Sequence, residues 1–202
     1  PTLNAGADKD DNPGSYKSRN RIESLFGRFN YDYMQKYLLS FTFRYDGNSK
    51  LKDNRWGFFP GVSLGWNMME EDFWKASKLS KIISNIKPRI SYGSNGNVSG
   101  IGDFYIYGVY DQLTNYNGNT AFYDRSLVNT ALKWEQSHTF EAGLDLGFFK
   151  NRLSFILDYY VRNTSNLLQS VNLPSYLGFK SIQTNLGKLR NQGFEMEVRA
   201  TP

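Results

Sequence analysis

Apolar and polar side chains alternate along much of the chain. Apolar residues occupy every second position in residues 140–148, and after a three-residue reversal the pattern resumes in residues 153–161. A second region, residues 25–45, repeats this arrangement around a short turn. A period of two is the period of a β-strand whose two faces differ. The sequence therefore predicts two antiparallel hairpins, each with one continuous apolar face.

Shorter alternating runs predict the remaining strands. GVSLGWN at residues 61–67 follows the aromatic segment WGFFP, a further run surrounds Ile90 and Tyr92, and FEMEVRA ends the series at residues 194–200. A weaker pattern, DFYIYGVYDQL at residues 103–113, predicts one more strand. The sequence thus predicts about seven long strands and an all-β fold class.

The connections between these strands differ in length in a regular way. Turns at 34–36 and 150–152 are short, whereas residues 1–23, 94–131 and 163–184 form long polar loops. A transmembrane β-barrel of the bacterial outer membrane has short periplasmic turns and long extracellular loops. We therefore expect antiparallel strands of such a barrel, with the long loops outside the cell.

One connection on the short-turn side is longer. Apolar side chains recur from Phe73 to Ile86, which predicts a short helix or two in a periplasmic connection, residues 68–85. Lys and Ser interrupt the apolar positions, so no long helix is expected. The whole range 1–202 is interpreted as one partial barrel domain.

Aromatic residues gather near both ends of the predicted strands. Trp and Tyr are enriched at the two interfaces between membrane and water, so this arrangement predicts two girdles. The set near the short turns is Tyr33, Tyr37, Trp66, Phe148 and Phe149. The set near the long loops is Tyr45, Trp56, Phe58, Phe59, Tyr92, Trp134 and Tyr159. Between the girdles, the apolar faces are expected to contact lipid and the polar faces a wet or plugged lumen.

Composition excludes several classes of function. With 202 residues the chain can form one sizeable core, or two small ones. Lys and Arg number 24 against 19 Asp and Glu, but the two signs are interleaved, so no basic stripe for nucleic acid is present. Absence of Cys excludes thiol catalysis and disulfides. The mean hydropathy of −0.56 does not argue against a barrel, whose strands give a weak average signal.

Five stretches, in order, carry a resemblance to a known family. They are SLFGRFNYDYMQKYLLSFTFRYDGNSK, RWGFFPGVSLGWNMMEEDF, IKPRISYGSNGN, LKWEQSHTFEAGLDLGFFKNRLSFILDYYVRNTSNLL and GFKSIQTNLGKLRNQGFEMEV. Together they span most of the chain from Ser24 to Val198, and they resemble the SusC/RagA-type TonB-linked outer-membrane transporters. The segment LVNTALKWE lacks the proline that commonly precedes this motif in the family.

The resemblance implies a 22-stranded barrel with an N-terminal plug in its lumen, and this chain looks like part of the barrel's later half. It also implies import of glycans or peptides across the outer membrane of a Gram-negative bacterium. The implied partners are a SusD-like surface lipoprotein and, through segments outside these residues, the TonB complex. No enzymatic step and no cofactor are implied. Seven strands cannot close around a plug, so the functional unit is expected to exceed 202 residues.

No catalytic or metal site is predicted. His138 is the only histidine, so it can build neither a zinc site nor a catalytic triad. DKDDN at residues 8–12 has the alternate spacing of a calcium loop but lacks the Gly and Glu of an EF-hand. Glu195 and Glu197 share a strand face, as the paired carboxylates of glycosidases can, yet the alternation alone predicts polar residues there.

Two groups of binding residues are predicted instead. Charged residues on the polar strand faces are expected to face the lumen and contact the plug: Arg28, Arg44, Glu141, Asp145, Asp158, Glu195, Glu197 and Arg199. Tyrosines of the longest loop are candidates for contact with the substrate or a lid: Tyr105, Tyr107, Tyr110, Tyr116 and Tyr123. Aromatic rings stack on sugars and pack against peptides, but packing within the loop explains them equally well.

Two other functional classes fit part of the pattern. A soluble β-sandwich that binds carbohydrate would bury the apolar faces against a second sheet. A diffusion porin would share the strands but not the family motifs. The transporter interpretation accounts for both the strands and the motifs.

Overall fold

A computed structural model describes residues 17–108, 110–116, 119–124 and 127–201, with the backbone alone for residues 111–116, 119 and 120. Eleven strands account for most of these residues. They are β1 (Ile22–Tyr33), β2 (Tyr37–Asn48), β3 (Trp56–Trp66), β4 (Ile83–Asn97), β5 (Tyr110–Tyr116), β6 (Asn119–Asp124), β7 (Glu135–Phe148), β8 (Leu153–Ser165), β9 (Leu168–Asn172), β10 (Ser181–Asn185) and β11 (Lys188–Ala200).

Helical structure in the described ranges is short. The segments are α1 (Asp72–Lys75) and 3₁₀ turns at Met68–Glu70, Lys78–Lys81, Tyr105–Tyr107 and Ser175–Leu177. Between β3 and β4, where the sequence predicts a short helix or two, the structure has one helical turn flanked by 3₁₀ turns. None of the helices in the described ranges has the length and apolar character needed to cross a bilayer.

Seven of the strands form one antiparallel sheet in the order β1-β2-β3-β4-β7-β8-β11. The other four form two separate hairpins, β5 with β6 and β9 with β10. The predicted all-β class and the seven long strands are confirmed. Within the residues that the structure describes, the sheet does not close on itself, because β1 and β11 are both edge strands.

The register places like side chains opposite each other across the sheet. On one face Leu144 lies opposite Leu157, and Leu157 lies opposite Met196. No other layer of the described residues covers this face: large apolar residues of β2, β3, β4, β7 and β11 remain 40–65% exposed, among them Phe41, Leu64, Ile90, Phe140 and Phe194. A soluble sandwich would bury them under a second sheet, and the described residues form no such sheet.

The two tight turns lie at the same end of the sheet. Met34 and Gln35 adopt positive φ angles of 54° and 58°, and in the turn after β7 three consecutive residues, Phe149, Lys150 and Asn151, have positive φ angles of 53°, 60° and 63°. Consecutive positive φ values in a turn match the right-handed twist of a hairpin, although such angles strain residues that carry a Cβ atom. These turns define the short-turn end of the sheet.

The opposite end carries a small core built from the long connections. Leu51, Ile101 and Leu132 are at most 1% exposed, and Val98, Phe59 and Trp134 complete the cluster. Leu51 comes from the β2–β3 loop, and Val98, Ile101, Leu132 and Trp134 come from the β4–β7 connection. This end is the long-loop end, and its loops are packed together.

Several expectations from the sequence need correction at the long-loop end. Phe59 and Trp134 do not belong to an aromatic girdle, because both are buried and their rings meet edge to face at 5.4 Å. The segment WGFFP is part of β3, not a knot before it. The strand predicted over 103–113 forms only from Tyr110 onward, since Tyr105–Tyr107 is a 3₁₀ turn.

The long connections are also shorter than the sequence indicated. Strand β4 continues to Asn97 and strand β8 to Ser165, so each strand extends into a segment expected to be irregular. The β5–β6 hairpin lies within residues 94–131, and β9 with most of β10 lies within residues 163–184. At the same end, β1 begins at Ile22, inside the segment 1–23 that was expected to be a loop. At the short-turn end, β4 begins at Ile83, inside the predicted connection 68–85.

Candidate functional site

An arginine on the polar face of the sheet links three carboxylates from two neighbouring strands. Arg89, on β4, donates from Nη1 to Glu141 Oε1 at 3.0 Å, from Nε to Asp145 Oδ1 at 3.2 Å and from Nη2 to Asp158 Oδ1 at 2.7 Å. Glu141 and Asp145 lie on β7 and Asp158 on β8. These four residues, the Arg89 cluster, tie three strands together on the face expected to line the lumen.

A glycine provides the space for this cluster. Gly143 lies opposite both Arg89 and Asp158 in the register. A Cβ atom at Gly143 would lie 2.5 Å from Asp158 Oδ1 and 2.7 Å from Arg89 Cζ, far closer than van der Waals contact allows. The planar guanidinium can therefore pass over the β7 backbone and reach β8 only because residue 143 has no side chain.

The cluster carries more negative than positive charge. Arg89 contributes one positive charge against three carboxylates, all of them only partly exposed. Lys87 lies opposite Asp145 and Glu195 lies opposite Asp158, so the wider patch stays acidic. Such a surface attracts a basic partner.

Sequence reasoning found the three carboxylates but did not include Arg89 among the plug contacts. The alternation placed Arg89 on the polar face, away from Ile90 and Tyr92. The missing information was the β4–β7 pairing, which joins residues 52 to 56 positions apart in the chain. The alternation along one strand does not show which distant strand will pair with it.

The other predicted inner-wall residues form smaller contacts. Arg199 donates from Nε to Glu197 Oε1 at 2.5 Å, two residues away on the same strand. Arg44 Nη2 lies 3.2 Å from Asp46 Oδ2. Arg28 lies opposite Thr42 on the β1–β2 ladder. These residues lie outside the Arg89 cluster.

The loop tyrosines separate into packed and exposed residues. The Tyr105 hydroxyl donates to the carbonyl of Leu127 at 3.1 Å and accepts from the amide of Asn129, so Tyr105 holds the loop together. Tyr107 is 74% exposed, and Tyr110 and Tyr123 are also exposed on the β5–β6 hairpin. For Tyr116, at the end of β5, only the backbone is described.

An open pocket of about 770 Å³ adjoins Tyr107 at the long-loop end. Its lining includes Arg19, Arg21 and Arg55 together with the aromatic rings of Trp56 and Phe104. Flat rings and guanidinium groups suit the faces of sugars and the carboxylates of peptides. Sequence reasoning missed this pocket, because its walls come from the start of β1, the β2–β3 loop and the β4–β7 connection.

The remaining sequence candidates show no catalytic arrangement in the described residues. His138 Nδ1 lies 3.0 Å from the Tyr92 hydroxyl, and both rings are stacked. Among the described residues, no group of three or more His, Cys, Asp or Glu is placed to hold a metal ion. The calcium-like segment at residues 8–12 lies outside them.

Comparison with known proteins gives consistent matches along the chain. The family model for the β-barrel of TonB-dependent receptor-like proteins matches residues 2–201. The TonB-dependent receptor SusC of Bacteroides thetaiotaomicron is 39% identical over 197 residues, which covers 93% of this chain. TonB-dependent receptor P39 of Formosa agariphila is 38% identical over 94% of this chain. The chain spans about a fifth of these relatives, 19% and 18% respectively.

Solved structures show the same relationship. The RagAB peptide importer in its open-open state matches with a TM-score of 0.80 and 29% identity, covering 91% of this chain and 20% of that one. In the closed-closed state the TM-score is 0.79, with 29% identity, over 88% and 19% of the two chains.

Proposed function

We propose, from the premise that this chain belongs to the TonB-dependent receptor β-barrel family, that it forms part of the wall of an outer-membrane nutrient importer. The observation that carries the proposal is the two-sided sheet. One face is apolar and uncovered, as contact with lipid requires, and the other carries the Arg89 cluster. In this placement the short-turn end is periplasmic and the long-loop end is extracellular.

The inner face serves as a docking surface for the plug. The Arg89 cluster presents fixed carboxylates with a surplus of negative charge, which favours a plug surface that carries Lys or Arg. Five other charged residues extend this surface along the wall: Glu195, Glu197, Arg199, Arg28 and Arg44. Because the Arg89 cluster spans three strands, it also fixes the shape of the wall against which a plug moves.

The extracellular end contributes to capture of the cargo, an oligosaccharide or a peptide. Tyr107 and the arginine-lined pocket are the surfaces that the chain offers to either cargo. A SusD-like lipoprotein is the expected partner that covers the loops. The TonB complex supplies energy through segments outside this chain.

Uptake experiments in the native bacterium separate the two cargo classes. The gene is deleted and restored in full, and cells receive fluorescent oligosaccharides or fluorescent peptides of graded size. We expect the deletion to abolish uptake of one class, and loss of TonB to have the same effect. If the deletion strain still takes up both classes of cargo, the result would contradict the importer function.

Variants of the pocket then test its role in capture. Arg55→Gln is expected to weaken uptake, whereas Lys133→Gln, at the same end of the sheet but outside the pocket, leaves uptake unchanged. An equal response to both changes would show that the pocket does not hold cargo.

A further inference from the structure

The connection between β3 and β4 contacts the apolar face of the sheet at the short-turn end. We call residues 67–82 the rim segment. Its Glu71 accepts hydrogen bonds through Oε1 from the Tyr37 hydroxyl at 2.8 Å and from Trp66 Nε1 at 3.1 Å. Tyr37 and Trp66 lie opposite each other, on the same apolar face as Leu39. Because their polar atoms reach Glu71, the rim segment lies directly below the lipid-facing aromatic girdle.

Both ends of the rim segment are attached to neighbouring turns. Asn67 donates from its amide to the carbonyl of Lys36 at 2.7 Å and from Nδ2 to the carbonyl of Gln35 at 2.6 Å. At the other end, the amide of Phe149 donates to the carbonyl of Ile82 at 2.8 Å. The segment therefore bridges the β1–β2 and β7–β8 turns, and its depth relative to the wall is fixed.

The surface of the rim segment combines apolar and basic side chains. Phe73 and Leu79 are 58% and 53% exposed, and Ile82 is similarly exposed. Three lysines are interleaved with them in the sequence: Lys75, Lys78 and Lys81. This combination is characteristic of segments that lie in the membrane interface, with apolar groups toward the acyl chains and lysines at the headgroups.

Two of these lysines remain available for an external anion. The ammonium of Lys75 pairs with Glu70 at 2.8 Å, and Lys36 pairs with Glu71 at 3.0 Å. Within the described ranges, neither Lys78 nor Lys81 has a carboxylate at ion-pair distance. The acidic residues of the segment all precede these two lysines, so the positive charge is concentrated at its later part.

We propose that the rim segment is a binding site for the headgroup of an anionic phospholipid of the periplasmic leaflet. Lys78 and Lys81 pair with the phosphate, while Phe73 and Leu79 enter the boundary with the acyl chains. The continuity with the lipid-facing girdle identifies a lipid as the occupant. A zwitterionic lipid carries its own ammonium group, which weakens the attraction to lysine. The site goes beyond the proposed transport function but depends on the same placement of the sheet in the membrane.

Photocrosslinking in nanodiscs tests this site with the complete receptor. One set of discs contains phosphatidylglycerol with a photoreactive acyl chain, and the other contains phosphatidylethanolamine with the same chain. Adducts on residues 67–82 are quantified by mass spectrometry. We expect more adduct with phosphatidylglycerol than with phosphatidylethanolamine. In the double variant Lys78→Gln/Lys81→Gln, this preference should fall about fivefold for each of the two lysines replaced, since a basic residue near an anionic membrane surface contributes about 1 kcal/mol.

Matched variants distinguish this site from general charge effects. Lys52→Gln/Lys133→Gln removes the same charge at the long-loop end and should leave the adducts unchanged. Equal labelling by the two lipids, or an unchanged preference in the Lys78/Lys81 variant, would overturn the proposal. So would competition by soluble glycerol phosphate, which would indicate a free-phosphate site. A receptor that fails to insert into either disc would contradict the barrel placement itself.

Discussion

The assignment of the two faces can be tested with adjacent residues on one strand. Leu157 lies between Leu144 and Met196 on the apolar face. Ile156, the preceding residue, lies between Asp145 and Glu197 on the charged face. Leu157→Arg and Ile156→Arg make the same chemical change one position apart. Their effects should differ strongly if one face contacts lipid and the other lines the lumen.

The expected cost follows from the depth of Leu157 in the membrane. It lies four positions after Leu153, where β8 begins. At about 3.3 Å per residue and a tilt of about 40°, this is about 10 Å, close to half of an apolar band about 25 Å tall. Arginine near the midplane on the lipid face of a barrel costs about 2–4 kcal/mol. Ile156→Arg places its guanidinium beside two carboxylates and should cost less than about 1 kcal/mol.

Two measurements check this difference. In the complete receptor, the midpoint of guanidinium unfolding in lipid vesicles should fall for Leu157→Arg and remain nearly unchanged for Ile156→Arg. In cells, the fraction of folded, heat-modifiable receptor should follow the same order. Equal damage from both variants, or greater damage from Ile156→Arg, would refute the assignment of the faces.

Three further predictions follow from specific contacts. Arg89→Met leaves three carboxylates without their donor and should lower the free energy of unfolding by about 1–3 kcal/mol, measured by denaturant titration; an unchanged value would show that the cluster does not stabilise the wall. Gly143→Ala should cost a similar amount, because its Cβ collides with Asp158 and with the guanidinium, whereas Gly102→Ala, which meets open space, serves as the control. Hydrogen bonds from the Tyr37 hydroxyl, and then from Lys36 and Trp66, lower the pKa of the Glu71 carboxyl. The stability that these bonds give the folded protein is therefore complete above the ordinary glutamate pKa of about 4.3, and it is lost as pH falls through the lowered pKa. Thermal unfolding between pH 6 and pH 3 should show this loss in the wild type, and Glu71→Gln should have a flatter profile.

Much of the sheet could be predicted from the sequence because alternation is a local property. The apolar positions around Leu144 and Leu157 predicted which side chains share the outer face, and the short turns predicted the antiparallel hairpins. Neither inference needs knowledge of distant pairing. The seven long strands and their apolar face therefore follow from the sequence alone.

Features that depend on distant contacts could not be predicted in the same way. Phe59 and Trp134 are aromatic, as residues of a girdle are, but they pack with Leu51 and Leu132 in a core assembled from separate loops. Arg89 meets its carboxylates only after β4 pairs with β7. A single sequence shows which residues are aromatic or charged but not which loops and strands become neighbours.

The measurement that tests the central claim most directly is the size and location of the native polypeptide. An antibody against this segment is used on boiled and unboiled membrane fractions. Since 93% of this chain matches 19% of SusC, the complete protein should be roughly five times the 23.3 kDa of this chain, about 115 kDa. The account predicts such a band in the outer membrane, with a mobility that shifts on heating. A soluble band near 23 kDa that does not shift would contradict it.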